Sequence, residues 1–265
     1  MPAASELSLV EAAKASDRVY FTLAADSVPL PGCLLLTMPG LAHLDSATVF
    51  HDLTAAPEDP AAVIACIRRE ARARGLALIR LYLMERDPVW EAALKQAGFL
   101  AREEVILAAS PETQAAWRGQ RTLQIRPVVT EADWEIRGRL LASSGRVPDG
   151  HGNNLDAYLE MEQQKSSCGD LTFYLAHTAD GKVVGSAGLM HLGAAARLKN
   201  LVVHAEVRRR GHGSAMIRSF VPLLEPHQSL VTYALQYPPA LRLYSRLKFT
   251  RITSCYEWTS KGFSR

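Results

Sequence analysis

The stretch VVHAEVRRRGHGSAMIR, residues 202–218, sets three arginines directly ahead of two glycines that bracket a histidine. An apolar run of strand type leads into it, and Ala215, Met216 and Ile217 lead out of it as a helix. A helix start leaves backbone N–H groups unpaired and gathers positive partial charge there. Gly211 and Gly213 remove the side chains that would keep an anion away from those groups, and Arg208, Arg209 and Arg210 add local positive potential. Taken alone, the stretch reads first as a solvated basic turn and only second as a cradle for the phosphates of a nucleotide.

Composition narrows the setting. The chain has 265 residues, 48% hydrophobic and 22% charged, which suits a soluble globular protein of one large or two ordinary domains. A net charge of +3 is too small to mark a nucleic-acid protein, so any basic site is local. Nucleic-acid binding through Arg208–Arg210 alone is weak, because no aromatic residues interleave. Cys33, Cys66, Cys168 and Cys255 are far apart, with no metal-ligand spacing, so reduced thiols, no metal and a cytoplasmic location are expected. The first twenty residues lack the apolar run of a signal peptide, and no stretch is long enough to span a membrane.

The chain also resembles itself. MERDPVWEAALKQAGFLAREEVIL (84–107) lies over ALQYPPALRLYSRLKFTRITSCYE (234–257) without a gap, an offset of 150. Pro88 falls on Pro238 and Phe99 on Phe249; each copy reads as a strand, a Pro at the first helical turn, a short amphipathic helix and another strand. Asp87 is a natural N-cap, and Gly98 a natural stop. Where the second copy has Arg208–Gly213, the first has Glu58-Asp59-Pro60-Ala61-Ala62-Val63, which would repel phosphate. The first copy is short, and loss of its early helices is expected. The predicted domains are a reduced unit over 1–109, a polar linker over 110–120 and a complete unit over 121–265.

Within the complete unit, LQIRPVV reads as a strand, and Thr130 with Asp133 caps a helix from Glu131. A loop with Pro148, Gly150 and Gly152 leads to a second helix, NLDAYLEMEQQ. Two strands joined at Asp180-Gly181 and a third, ARLKNLVVH, run into the opening stretch. A helix over about 212–224, a strand over 229–236, a helix over 238–247 and a strand over 250–258 follow. The predicted fold class is α/β (α+β), with a mixed, mostly antiparallel sheet flanked by helices.

Leu198, Leu201, Val203, Arg208, Gly211 and Gly213 stand at the spacings of the acetyl-CoA signature Q/R-x-x-G-x-G/A of the GCN5-related N-acetyltransferases (GNAT superfamily), and the chain resembles that family over 121–258. Ala240, Leu243-Tyr244 and Phe249 resemble its second signature. The first copy resembles the same fold, so a tandem GNAT arrangement with a degenerate first domain is implied. The resemblance implies acetyl-CoA as co-substrate, its pantetheine arm held by the backbone of Leu201, Val202 and Val203. It also implies a pyrophosphate on Arg208, Arg209, Arg210, Gly211, His212, Gly213 and Ser214. Tyr244 matches the family's general acid, which would protonate the departing thiolate; the first copy has Leu94 there. Tyr237 stands where many members have an asparagine that contacts the CoA arm, Lys248 replaces a glycine, and Thr232 replaces a glutamate that some relatives use as base.

The base is therefore unassigned, with His191 the first candidate and a sheet-edge histidine its equal alternative; His204 or no residue at all follows. Asp156 and Glu160 share one face of the second helix and would receive a cationic amine, unless they are simply solvated. The implied activity is acetyl transfer to a primary amine, of a small molecule rather than a protein, in an assembly for which a homodimer is admitted. The alternatives are a non-catalytic acyl-CoA-binding regulator and an acetyltransferase of protein N-termini or lysines.

Overall fold

The computed structural model describes residues 7–41, 47–53, 59–144, 155–235 and 238–261. In the first half, Ser8 and Glu11 form a capping box that starts α1 (Leu9–Thr22). β1 (Asp26–Leu30), β2 (Cys33–Thr37), β3 (Thr48–His51), α2 (Pro60–Arg74), β4 (Leu78–Leu83), α3 (Pro88–Gln96) and β5 (Leu100–Ala109) follow. Both α2 and α3 open with a proline behind an aspartate cap, Asp59 accepting from the N–H of Ala62 and Asp87 from those of Val89 and Trp90. The second half runs α4 (Pro111–Ala115), β6 (Gln124–Pro127), α5 (Glu131–Ser143), α6 (Leu155–Ser167), β7 (Leu171–His177), β8 (Val183–Leu192) and β9 (Ala195–Val203). It ends with α7 (His212–Ser219), β10 (Ser229–Leu235), α8 (Pro238–Arg246) and β11 (Thr250–Lys261).

The repeat holds in three dimensions. α3 and α8 keep the offset of 150 at both ends, and β5 and β11 both start four residues beyond their helix. Two expectations need correction. The first copy retains a helix: α1 precedes the β1–β2 hairpin as α6 precedes the β7–β8 hairpin, so only the counterparts of β6 and of one helix are lacking among the described residues. The helix of the opening stretch ends at Ser219, and a 3-10 turn at Val221–Leu223 follows, because Pro222 has no N–H to continue the ladder. The 110–120 segment, expected as a polar linker, holds α4. The buried Gln114 donates to the carbonyls of Ala109 (2.9 Å) and Gln228 (3.0 Å), and Trp117 stacks on Phe249 at 5.9 Å.

The eleven strands of the described residues form one sheet, in the order β1-β2-β3-β4-β11-β5-β10-β9-β8-β7-β6. The pairing is antiparallel except between β3 and β4 and between β9 and β10. The order reads the same from both ends under the repeat, so a pseudo-two-fold passes between β5 and β11. Each half gives its last strand to the other: β5 lies between β11 and β10, with Glu104 opposite both Leu235 and Cys255, and β11 pairs with β4. The strands of the two halves thus interlock in space.

One face of the second half is covered by α7 and α8, where Met216, Ile217, Tyr244 and Leu247 pack on Val105, Leu107, Leu198 and Ala234. α1 crosses the opposite face, setting Ala12 and Ala13 on Ile106, Ala108, Val231 and Cys255. α5 and α6 continue that layer, joined by a fully buried ion pair in which Arg137 Nε and Nη2 donate to both Glu162 oxygens at 2.6 and 2.7 Å.

Candidate functional site

β9 and β10 run together only from Ala195–Ser229 to Leu198–Thr232; β9 then continues to Val203 and β10 to Leu235 without further pairing. The cause lies on the other edge of β9. Its register with β8 slips between Gly188–Lys199 and Ser186–Val202, a β-bulge centred on Asn200, which takes a φ of 49°. The Asn200 amide donates to the Tyr158 hydroxyl (2.8 Å) and to Glu162 Oε1 (2.7 Å), which pins the bulge to α6. Gly185 is required there, since a Cβ would stand 2.6 Å from the Val202 carbonyl oxygen. A cavity of about 710 Å³ passes through the opening, with Leu201, Val202, Thr232, Ala234, Ala240 and Tyr244 among its walls.

Beyond β9 the chain makes a 3-10 turn at Ala205–Val207, capped by His204 through the Glu206 N–H. Arg208 is engaged structurally: Nε donates to the Val203 carbonyl and Nη2 to that of Ser144, both at 3.1 Å. Its side chain therefore ties the end of β9 to the end of α5, which corrects its expected role as a phosphate-binding cation. Arg209 and Gly211 take φ values of 63° and 82°, and Gly211 caps α7 with no side chain over the helix start. A Cβ on Gly213 would meet Leu243 at 3.4 Å and Val203 at 3.8 Å, both ordinary contacts. His212 is buried, and burial first, then Arg121 and Arg210, hold its imidazole below the usual range. Arg121, distant in sequence, donates to the Arg210 carbonyl at 3.3 Å and adds a cation that sequence reasoning missed.

Tyr244 lines the cavity from α8, 7% exposed, its hydroxyl accepting from Thr232 Oγ1 at 3.3 Å and its ring edge-on to Phe249 at 5.3 Å. At the pseudo-equivalent place Leu94 and Trp90 are fully buried in a continuous apolar core. That crevice is filled.

Other predicted residues are not brought together. His191 pairs with Ala196 at the far end of β8, is exposed, and bonds Gln228 Oε1 through Nδ1 at 2.9 Å. Because β8 and β9 are antiparallel, the end of β8 lies about 20 Å from the opening near Gly185 at the rise of an extended strand. His191 is absent from the cavity wall, so it is withdrawn as a base. Asp156 and Glu160 do share a helical face, but the exposed one; Glu160 accepts from Gln164 at 3.2 Å, while Tyr158 and Met161 face the cavity. They are withdrawn as an acceptor site. Tyr237, Pro148, Gly150 and Gly152 lie outside the described residues.

On the α1 side of the sheet the cavity is walled largely by polar residues of both halves: Asp17, Tyr20 and Phe21 of α1, Arg80 and Tyr82 of β4, Arg102 and Glu104 of β5, Glu257 of β11, and Lys199; this part is the polar chamber. Asp17 accepts from Arg197 at 2.6 Å, whose guanidinium lies 3.7 Å over Tyr233. Arg197 holds the Asp17 carboxyl well below the usual carboxylate range, against the opposing effect of burial. Glu257 is held by Arg80 at 2.6 Å, by Arg102 and by the Tyr82 hydroxyl at 3.1 Å. Glu104 stands farther from its cation, with Arg102 at 3.9 Å, and burial first, then Asp17, push its carboxyl upward. The Lys199 amine lies 3.7 Å from the Tyr20 ring centroid, and burial and then Arg197 bring it down to about 8. Sequence reasoning missed this chamber, whose residues are scattered from position 17 to 257 with no local pattern.

Among the described residues no His, Cys, Asp or Glu cluster is placed to hold a metal, and no helix is long and apolar enough to cross a membrane. Residues 169–251 match the acetyltransferase (GNAT) domain family. The chain is similar over 98% of its length to all of a functionally unknown conserved protein from Staphylococcus epidermidis ATCC 12228, at 12% identity and a TM-score of 0.71. Over 96% of both chains it is similar to a GCN5-related N-acetyltransferase from Kribbella flavida, at 14% identity and a TM-score of 0.68. A tandem GNAT protein from the clavulanic acid biosynthesis pathway matches 98% of this chain with 96% of its own, at 14% identity and a TM-score of 0.61. At such identities the likeness is one of fold. No curated protein matches the chain.

Proposed function

We propose, from the premise that residues 169–251 form a GNAT acetyltransferase domain in a chain of tandem GNAT fold, that the protein transfers an acetyl group from acetyl-CoA to a primary amine of a small molecule. The observation that carries the reading is the opening between β9 and β10, with Tyr244 on one side of the sheet and a polar chamber on the other. Acetyl-CoA would lie with its pantetheine arm along the unpaired edge of Leu201–Val203. Its pyrophosphate would rest on the N–H groups of Gly211, His212, Gly213 and Ser214, beside Arg121, Arg209 and Arg210.

The acceptor would approach from the α1 side. Its neutral amine nitrogen forms a bond to the thioester carbonyl carbon, the carbon–sulfur bond breaks, and the electron pair leaves on sulfur. Tyr244 gives its hydroxyl proton to that thiolate, and the proton released by the nitrogen needs a base. Of the three chamber carboxylates, Asp17 and Glu257 are each in close contact with an arginine, which lowers basicity. Glu104 is the remaining one, and burial already raises its proton affinity. We assign it the role first given to His191. A cavity of about 710 Å³ suits a small acceptor, and a binder without turnover has no need of a hydroxyl at position 244.

Calorimetric titration of the protein with acetyl-CoA, followed by thiol release against an amine panel, tests the reading. One site per chain with amine-dependent release is expected. No binding, or two sites, refutes the assignment of a single working half.

A further inference from the structure

Lys199 is the first residue of β9 past the last β10-paired position, Leu198. Its side chain leaves the sheet on the α1 side and stops over the Tyr20 ring, so its amine stands beside the gap through which an acceptor reaches the opening. Among the described residues no carboxylate lies within ion-pair distance of it, whereas Asp17 is bonded to Arg197 and Glu257 to Arg80 and Arg102. In and behind the chamber wall, the four cations Arg80, Arg102, Arg197 and Lys199 face the three carboxylates Asp17, Glu104 and Glu257. The surplus positive charge sits on Lys199. A partly desolvated cation with no carboxylate in direct contact, only Asp17 and Glu104 acting on it from farther off, is costly, and an anion arriving beside it offsets that cost. A purely cationic acceptor would be repelled from the same place.

We infer that Lys199 receives an anionic group of the acceptor, so that the substrate class is an amine that also carries a carboxylate, as a free amino acid does. The inference rests on the acetyltransferase reading and specifies its acceptor. It replaces the expectation of a cationic amine held by carboxylates. In this arrangement Glu104 and Lys199 divide the acceptor between them, the carboxylate side chain taking the amine end and the ammonium the acid end.

The test compares free amino acids with their amides as acceptors, by thiol release, in the wild type, Lys199→Met and Lys199→Arg. Lys199→Met keeps a flexible apolar stem against Tyr20 and removes only the charge. The wild type is expected to prefer the acids. Lys199→Met is expected to lower kcat/KM for an amino acid at least tenfold more than for its amide, through KM, and Lys199→Arg to retain the preference. Acetyl-CoA affinity, measured by calorimetry on the same samples, is expected to be similar in all three. If the wild type binds acetyl-CoA but uses amides as well as acids, or uses no acid of the panel, the inference is overturned alone. If it binds no acetyl-CoA, the acetyltransferase reading and the inference fall together.

Discussion

Glu162→Gln changes one atom of a fully buried side chain and probes what holds the sheet open. Glu162 takes two hydrogen bonds from Arg137 and one, on Oε1, from Asn200 at the bulge. Arg137 turns its remaining nitrogen, Nη1, to Ser186 Oγ at 2.7 Å and lies 4.0 Å over the Phe173 ring, so it cannot turn away. A glutamine supplies one oxygen and one NH2 to these donors. Whichever way the amide turns, an N–H faces an N–H, and a buried guanidinium loses its counter-charge. Breaking a buried pair from one side costs about 3–5 kcal/mol. At roughly 2–4 °C per kcal/mol for a chain of this size, the melting temperature falls by roughly 6–20 °C. Acetyl-CoA affinity falls with it, because Asn200 now competes with Arg137 for one oxygen. Adding Arg137→Met removes the orphaned charge and frees that oxygen for Asn200, so the double variant recovers most of both losses. Thermal unfolding and calorimetry on the two variants decide the matter. A single-variant shift under about 2 °C, or a double variant no better than the single, refutes the view that this pair supports the bulge.

Tyr244→Phe removes the proton donor and the hydrogen bond from Thr232 while keeping the ring against Phe249. Turnover should fall about a hundredfold or more with acetyl-CoA affinity nearly unchanged, and full activity would show the acid to be elsewhere. Glu104 acts only when ionised, and burial raises its proton affinity, so kcat/KM should be lost as pH falls at a value above the ordinary carboxylate range. Glu104→Gln should lower kcat and abolish that limb of the pH profile; an unchanged profile would exclude it as the base. Lys165, which donates to the Tyr20 and Leu23 carbonyls at the end of α1, is brought down to about 7 by burial. Between that value and the ordinary lysine range the unfolded chain binds a proton that the folded one has released. Stability therefore gains as pH rises above 7, and denaturant midpoints at pH 7 and 9 should show less of this gain in Lys165→Met than in the wild type.

Much of the molecule could be read along the chain because its signals are local. Asp87 and Thr130 cap helices through bonds to residues at most three positions away, and the proline–helix–strand order of both copies depends only on neighbours. The turn at 208–213 was legible for the same reason: backbone N–H groups at a glycine-bracketed helix start are fixed by a dozen consecutive residues. Local spacing misled where orientation was at stake. Asp156 and Glu160 share a face in any helix, but which face meets solvent depends on what packs below α6. His191 ends a strand next to the binding strand, yet antiparallel pairing carries it to the wrong end.

The sequence by itself determined most elements of the second half, the caps at Asp87 and Thr130, the repeat and the basic glycine turn, since each arises from contacts within a few residues. Only the tertiary structure decided that β5 and β11 change places across the pseudo-two-fold, since strand partners are chosen by the burial of whole faces. That exchange carries Glu104 of the first half alongside Leu235 of the second, while α1 lays Asp17 and Tyr20 over Lys199. The chamber's charge balance is a sum over side chains as far apart as residues 17 and 257, and no stretch of the chain holds more than a fraction of it.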